Sequence, residues 1–287
     1  MYFLLCLLLV PSGLKAQDDE LDEWEDEDQD KGFSIALNLG AYQASKKSGN
    51  LYNGSCLFDI SDDPNGVRCY SIMDRLTLNI NDINYITNFY NIQSFEGPID
   101  MHPTNMRYQA SFLVGVNLMY NFNWANALTV DFNLMRIKAV DQFTLRFIGG
   151  EIQQNAQQDI RLFTITGNEE RFSLNAGYRT RFEINKGANW YLDLGGSMLG
   201  ASLERNTVRV AERDYQLILG ANNPQQLIQY QPRTEIGFGF FGGVGVEFLF
   251  DEKYRMDIGF ILNRDKLVLH TYEDNVWNMA LVARLGL

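Results

Sequence analysis

Two histidines, His102 and His270, bound the acid-base chemistry open to this chain. His270 stands in Leu269-His-Thr-Tyr-Glu273, where Glu273 is close enough to orient an imidazole and Thr271 is the nearest hydroxyl. Nucleophilic catalysis needs nucleophile, base and orienting group in mutual reach. His270 and Glu273 are therefore the catalytic candidates, set against the plainer reading of a solvated loop histidine. His102, in Met101-His-Pro103, has no evident partner. Asp59, Asp62, Asp63 and Asn65 could supply oxygen ligands to calcium, but Asp63-Pro-Asn-Gly66 is first a turn sequence. No metal and no cofactor is expected.

Cys56 and Cys69 remain as a pair once Cys6 is set aside with the leader, and an even count in an exported chain favours a disulfide over two buried thiols. The leader is residues 1–16. An apolar run of about ten residues is the size of a signal-peptide core and too short to cross a bilayer as a helix. Lys15-Ala16-Gln17 supplies the cleavage junction.

The formal net charge of -12 excludes a nucleic-acid binder, which needs a basic footprint. Much of that charge is local, since residues 18–31 carry ten carboxylates and one lysine. Like charges and scarce apolar surface make residues 17–31 a disordered tail. Trp24 gives it an apolar anchor, and the tail reads either as a contact for a basic periplasmic partner or as a spacer.

What must position any such residues is a set of strands. From Phe33 onward apolar and polar residues alternate with period two. The apolar positions run Phe33 to Ala41, Tyr108 to Phe122, Leu128 to Leu134, Phe172 to Ile184, Trp190 to Met198, Ile236 to Phe250, Tyr254 to Leu262 and Trp277 to Leu287. The apolar parity slips between Arg136 and Asp141, which calls for a bulge or a strand break. Eight strands result, joined alternately by tight turns and by long connections at about 43–107, 149–170, 205–234 and 265–275. A ten-stranded alternative folds 142–165 into one more hairpin inside the membrane. The first long connection carries apolar residues at helical spacing and reads as an amphipathic helix from Ser71 to Asn91, covering the barrel mouth or a partner.

The polar side of the strands collects Asp131, Arg171, Arg179, Arg181, Glu183, Asp193, Glu247, Arg255, Asp257 and Arg284 beside many glycines. A soluble β-sandwich would also alternate, but balanced charges and small residues suit a narrow lumen filled by ion pairs. Aromatics near the turns, Phe122, Trp124, Phe182 and Trp190 among them, suit a membrane-interface girdle. The fold class is thus all-β, an antiparallel up-and-down transmembrane β-barrel over residues 32–287, in an outer membrane.

The Lys15-Ala16-Gln17 junction, the strand and turn layout, and the closing strand Trp277 to Leu287 resemble the small outer-membrane β-barrel proteins of Bacteroidetes-type bacteria. The resemblance implies outer-membrane lipids and the barrel-assembly machinery as partners, and it speaks to architecture only. Some barrels of this class modify lipids or hydrolyse peptides with a rim histidine, which is the alternative for His270. The main expectation is a noncatalytic structural or interaction component, a subunit of a larger envelope complex.

Overall fold

The structure, a computed structural model, describes residues 31–56, 67–97, 103, 105–149, 159–185, 187–223, 226–228, 233–251, 254–269 and 272–286. Eight long strands form the wall: β1 Gly32–Gln43, β2 Ser111–Asn121, β3 Asn126–Ile148, β4 Asp159–Asn185, β5 Ala188–Val210, β6 Thr234–Asp251, β7 Tyr254–Leu269 and β8 Tyr272–Gly286. Each pairs antiparallel with its sequence neighbours. β1 also pairs with β8, from Ala36 opposite Gly286 to Gln43 opposite Met279, so the sheet closes on itself and leaves no free edge among its eight strands. Closure matters because an unpaired backbone group in lipid costs several kcal/mol.

The tight turns lie at one end. Between β2 and β3 the Asn123 side chain accepts from the backbone N–H groups of Ala125 and Asn126, at 3.0 and 2.8 Å. Between β4 and β5 the Asn185 side chain accepts from the Gly187 N–H at 3.0 Å. The expected girdle sits at this end, with Phe122, Trp124, Phe182 and Trp190 all exposed and Phe182 stacked on Trp190 at 4.3 Å. No helix among the described residues is long and apolar enough to cross a membrane.

At the other end the strands do not stop where the alternation of the belt stops. β3, β4 and β5 have 23, 27 and 23 residues, where about 9–11 suffice to cross a bilayer. The excess stands outside as a ladder, and 142–147 and 159–165 belong to it rather than to a fifth hairpin in the membrane. The parity slip at 136–141 is likewise not a bulge. The β3–β4 register runs unbroken from Asn126 to Phe147, and odd-numbered residues of β3 face inward throughout. What changes is the chemistry of the inner face. Within the belt Thr129, Asp131 and Asn133 point inward and Leu128 and Leu134 point to lipid; beyond it Ile137, Phe143, Leu145 and Phe147 point inward and Arg136 and Lys138 point out. A real bulge occurs on β5, where Glu204 is the extra residue between the pairs Glu169–Leu203 and Asn168–Arg205.

The inward apolar faces of these extensions enclose a core that the first long connection fills. That connection contains α1, Ile72–Thr77, and α2, Ile80–Tyr90, so the single helix expected over Ser71–Asn91 keeps its outer bounds but is broken at Leu78–Asn79. Ser71 caps α1 by accepting from the Asp74 N–H, and the Asn79 side chain caps α2 by accepting from the Asn81 N–H. Asn91 ends α2 in the left-handed conformation. Ile72, Leu76 and Ile86 are buried in the cap core with Leu51, Phe143 and Val208, whereas Ile80, at 65%, is exposed.

The Cys56–Cys69 disulfide is formed. Within the first connection it joins Cys56 to the strand Val67–Cys69, which pairs with Ile218–Asn223 beyond β5. Closing a loop of this length contributes about 3 kcal/mol in the chain-entropy account. Cys56→Ser with Cys69→Ser is therefore expected to speed proteolysis of the first connection while the barrel stays folded. Thiol labelling of both cysteines in unreduced, denatured wild-type protein would overturn the pairing.

Candidate functional site

Inward-facing side chains form two charged layers, one within the belt and one at its outer edge, where Glu169 stands opposite Ile137. In the layer nearer the turns, the Arg179 guanidinium on β4 donates to both Asp193 oxygens at 2.7 and 2.8 Å and to Asp257 at 2.8 Å. Arg284 on β8 donates to both Asp131 oxygens at 3.2 and 3.0 Å, to Asp257 at 3.2 Å and to the Tyr191 hydroxyl at 2.9 Å. Glu247 on β6 gathers Arg179 at 3.5 Å, Arg181 at 3.1 Å and Arg255 at 3.7 Å. Asn38 and Asn117 donate to Asp131 at 2.8 and 3.1 Å. Four guanidiniums, Arg179, Arg181, Arg255 and Arg284, thus face four carboxylates, Asp131, Asp193, Glu247 and Asp257, and the layer is neutral. Neutrality and dense hydrogen bonding are what let charges remain buried.

Tyr191 is the post around which this layer is built. The Arg179 guanidinium lies 3.7 Å from its ring centroid. Its hydroxyl end rests against Gly245 and Gly259, where an added Cβ would come within 2.4 and 2.1 Å of the phenol oxygen. Glycine is therefore required at both positions.

The outer layer centres on a fully buried pair, Arg171 and Glu169, at 2.7 Å. Arg171 also donates to the Tyr42 hydroxyl and to Ser48 Oγ, each at 3.3 Å, and the Tyr108 hydroxyl donates to Glu169. Burial, and then the Glu169 carboxylate, pushes the Tyr108 hydroxyl well above its ordinary value, so it stays a donor. Ser197 donates to Asp265 at 2.5 Å and Asn278 to Asp265 at 3.3 Å. Above this layer sits the cap core.

The sequence-predicted lumen residues Asp131, Arg179, Arg181, Asp193, Glu247, Arg255, Asp257 and Arg284 all join one network. Glu183 does not. It has inward parity but lies past the last packed layer, opposite Asn189 beside the turn, and is exposed. Glu169 falls in the long connection expected at 149–170, although Ile165, Gly167, Glu169 and Arg171 keep one parity. Tyr191 and the asparagines of β1 and β2 carried no charge to mark them. Glu273 is exposed and ion-paired with Lys266 at 2.5 Å. His270, His102, Asp59, Asp62, Asp63, Trp24 and the acidic tail lie outside the described residues.

No known family profile matches the chain, and no curated protein matches it. Among solved structures, Neisserial surface protein A is similar at 11% identity, covering 90% of this chain and 99% of that one, with a TM-score of 0.41. Ail, the attachment invasion locus protein of Yersinia pestis, is similar at 12% identity over 89% and 97%, with a TM-score of 0.34. The outer membrane protein OprG of Pseudomonas aeruginosa is similar at 8% identity over 89% and 94%, with a TM-score of 0.35. Likeness this distant carries no argument about function. The closed ladder, the exposed apolar belt, the charged lumen and the tight turns at one end make the chain a small outer-membrane β-barrel by its own geometry.

Proposed function

We propose that the protein is a sealed anchor that fixes a rigid extracellular cap in the outer membrane as an interaction platform, a component of a larger envelope complex. The observation that carries this reading is the double closure of the barrel: a neutral ion-paired plug in the lumen, then an apolar core above it. A pore needs a wet path and a rim enzyme needs an open mouth, and both layers work against these. The energy of the fold goes instead into holding α1 and α2 still, with Leu78, Ile80 and Phe89 left exposed as contacts. The Tyr85 hydroxyl donates to the Ala211 carbonyl at 3.1 Å, and the Ala211 N–H donates to the Tyr90 hydroxyl at 3.1 Å, which clamps α2 to the tip of β5. β1 begins at the turn end, so the acidic tail joins it on the periplasmic side, where Trp24 and its carboxylates form a second contact, to a basic partner.

The purified protein in planar bilayers is expected to give no conductance steps; steady single-channel openings would overturn the sealed barrel. Affinity purification from detergent-solubilised membranes tests the platform, comparing the wild type with Leu78→Ser/Ile80→Ser. Loss of co-purifying envelope proteins from the variant is expected, and an unchanged set would overturn the contact surface. His270→Ala is expected to purify with the wild-type set.

A further inference from the structure

Cations on the outward face of the wall mostly carry their own counter-ions. Arg136 meets Glu170, Arg146 meets Glu96, and Lys266 meets Glu273 at 2.5 Å. Of the described outward cations without one, Lys138, Arg205 and Arg264, only Arg264 lies between aromatic rings. It is exposed on β7 with the parity of the lipid-facing Ile258 and Phe260, and no carboxylate among the described residues lies within ion-pair distance of it. The ladder sets it between two aromatics, with Phe240 opposite it on β6 and Trp277 opposite it on β8. Its guanidinium is 5.9 Å from the Phe240 centroid and 5.5 Å from the Trp277 centroid, and the two rings meet edge to face at 6.4 Å.

The height of this frame decides what it faces. Going out from the turns along β7, Ile258, Phe260 and Leu262 precede Arg264, and their ladder partners on β8 are Ala283, Leu281 and Met279. Arg264 is thus the first charged outward position above a strip of hydrocarbon-facing side chains, at the level where aromatic side chains mark a membrane interface. Just beyond it stand Lys266, Asn275 and Glu273, whose hydrogen-bonding groups suit a headgroup rich in hydroxyls. A guanidinium presents paired N–H donors that match a phosphate, and at the edge of hydrocarbon such a bond is stronger than in water.

We propose that Arg264, framed by Phe240 and Trp277, binds the phosphate of a phosphorylated glycolipid in the outer leaflet, whose acyl chains lie along Leu262, Phe260, Met279 and Leu281. The aromatic frame flanks the guanidinium, and the lack of a carboxylate partner among the described residues leaves its charge for the ligand.

The test uses the full folded protein in phosphatidylcholine nanodiscs doped with a diphosphorylated acylated disaccharide, with the retained lipid counted by native mass spectrometry. The wild type should retain the disaccharide lipid, and Arg264→Gln should reduce retention about tenfold, or roughly 1.4 kcal/mol. Arg136→Gln, whose charge Glu170 takes up, should retain it as the wild type does. Equal retention by Arg264→Gln overturns the site. A second comparison needs no variant, so a folding defect cannot blunt it: the wild type offered the same disaccharide lipid without phosphates should retain little. If it retains as much, the phosphate is not what is recognised. If phosphatidylglycerol is retained as well as the disaccharide, the glycolipid assignment is overturned.

Discussion

Arg284→Met lowers the stability of the folded barrel by about 3–5 kcal/mol, because it leaves buried carboxylates without compensation. Asp131 loses its bidentate partner and Asp257 loses one of its two guanidiniums. The Tyr191 hydroxyl, set against glycine backbone, loses its bond to Arg284 Nη1. The measurement is urea unfolding in lipid vesicles, read by the slower migration of the unfolded form on unheated gels. The companion variant separates charge balance from mere contact. Arg284→Met with Asp131→Asn restores a neutral layer and keeps an acceptor oxygen for Asn38 and Asn117, so it should recover a large part of the loss. Buried pairs replaced together often cost little, whereas one broken alone costs much. If the double variant is as unstable as the single one, the network is held by geometry rather than by charge balance.

Phe143→Ala is the second large effect, expected at about 3–5 kcal/mol for a buried aromatic, and confined to the cap. Phe143 is 1% exposed and packs near Phe163 at 5.8 Å between centroids, on the part of β3 that stands outside the membrane. The expected signature is faster protease cleavage of the first connection on intact cells, with unchanged heat-modifiable migration of the barrel. Because the loss is confined to the cap, Phe143→Ala should leave the urea unfolding of the barrel within about 0.5 kcal/mol of the wild type. A barrel destabilised as much as the cap would show that the two unfold as one unit.

The part of this architecture inside the membrane was legible in the sequence, because lipid outside and ion pairs inside force period two upon each strand. Parity alone placed Arg179, Asp193, Asp257 and Arg284 on one face. The same rule misled above the membrane. There water replaces lipid outside, so apolar residues move to the inner face, and an unbroken β3 read as a parity slip at 136–141. The broken helix was hidden for a different reason: Asn79 caps a new helix with its side chain, an event that apolar spacing does not report. Glu183 shows the limit of parity, which gives a side but not a depth.

That exchange of faces along β3 and β5 also fixes how deep the molecule rides. Pushed two residues toward the periplasm, the wall would carry Arg136 and Lys138 toward hydrocarbon, where a basic side chain costs about 2–4 kcal/mol at the midplane and less near the surface. Drawn two residues the other way, Leu134 and Phe172, paired across β3 and β4, would rise into water. Either displacement raises the free energy, so the vertical position is a restoring well cut by side-chain order along the strands, and the cap stands at one height above the bilayer.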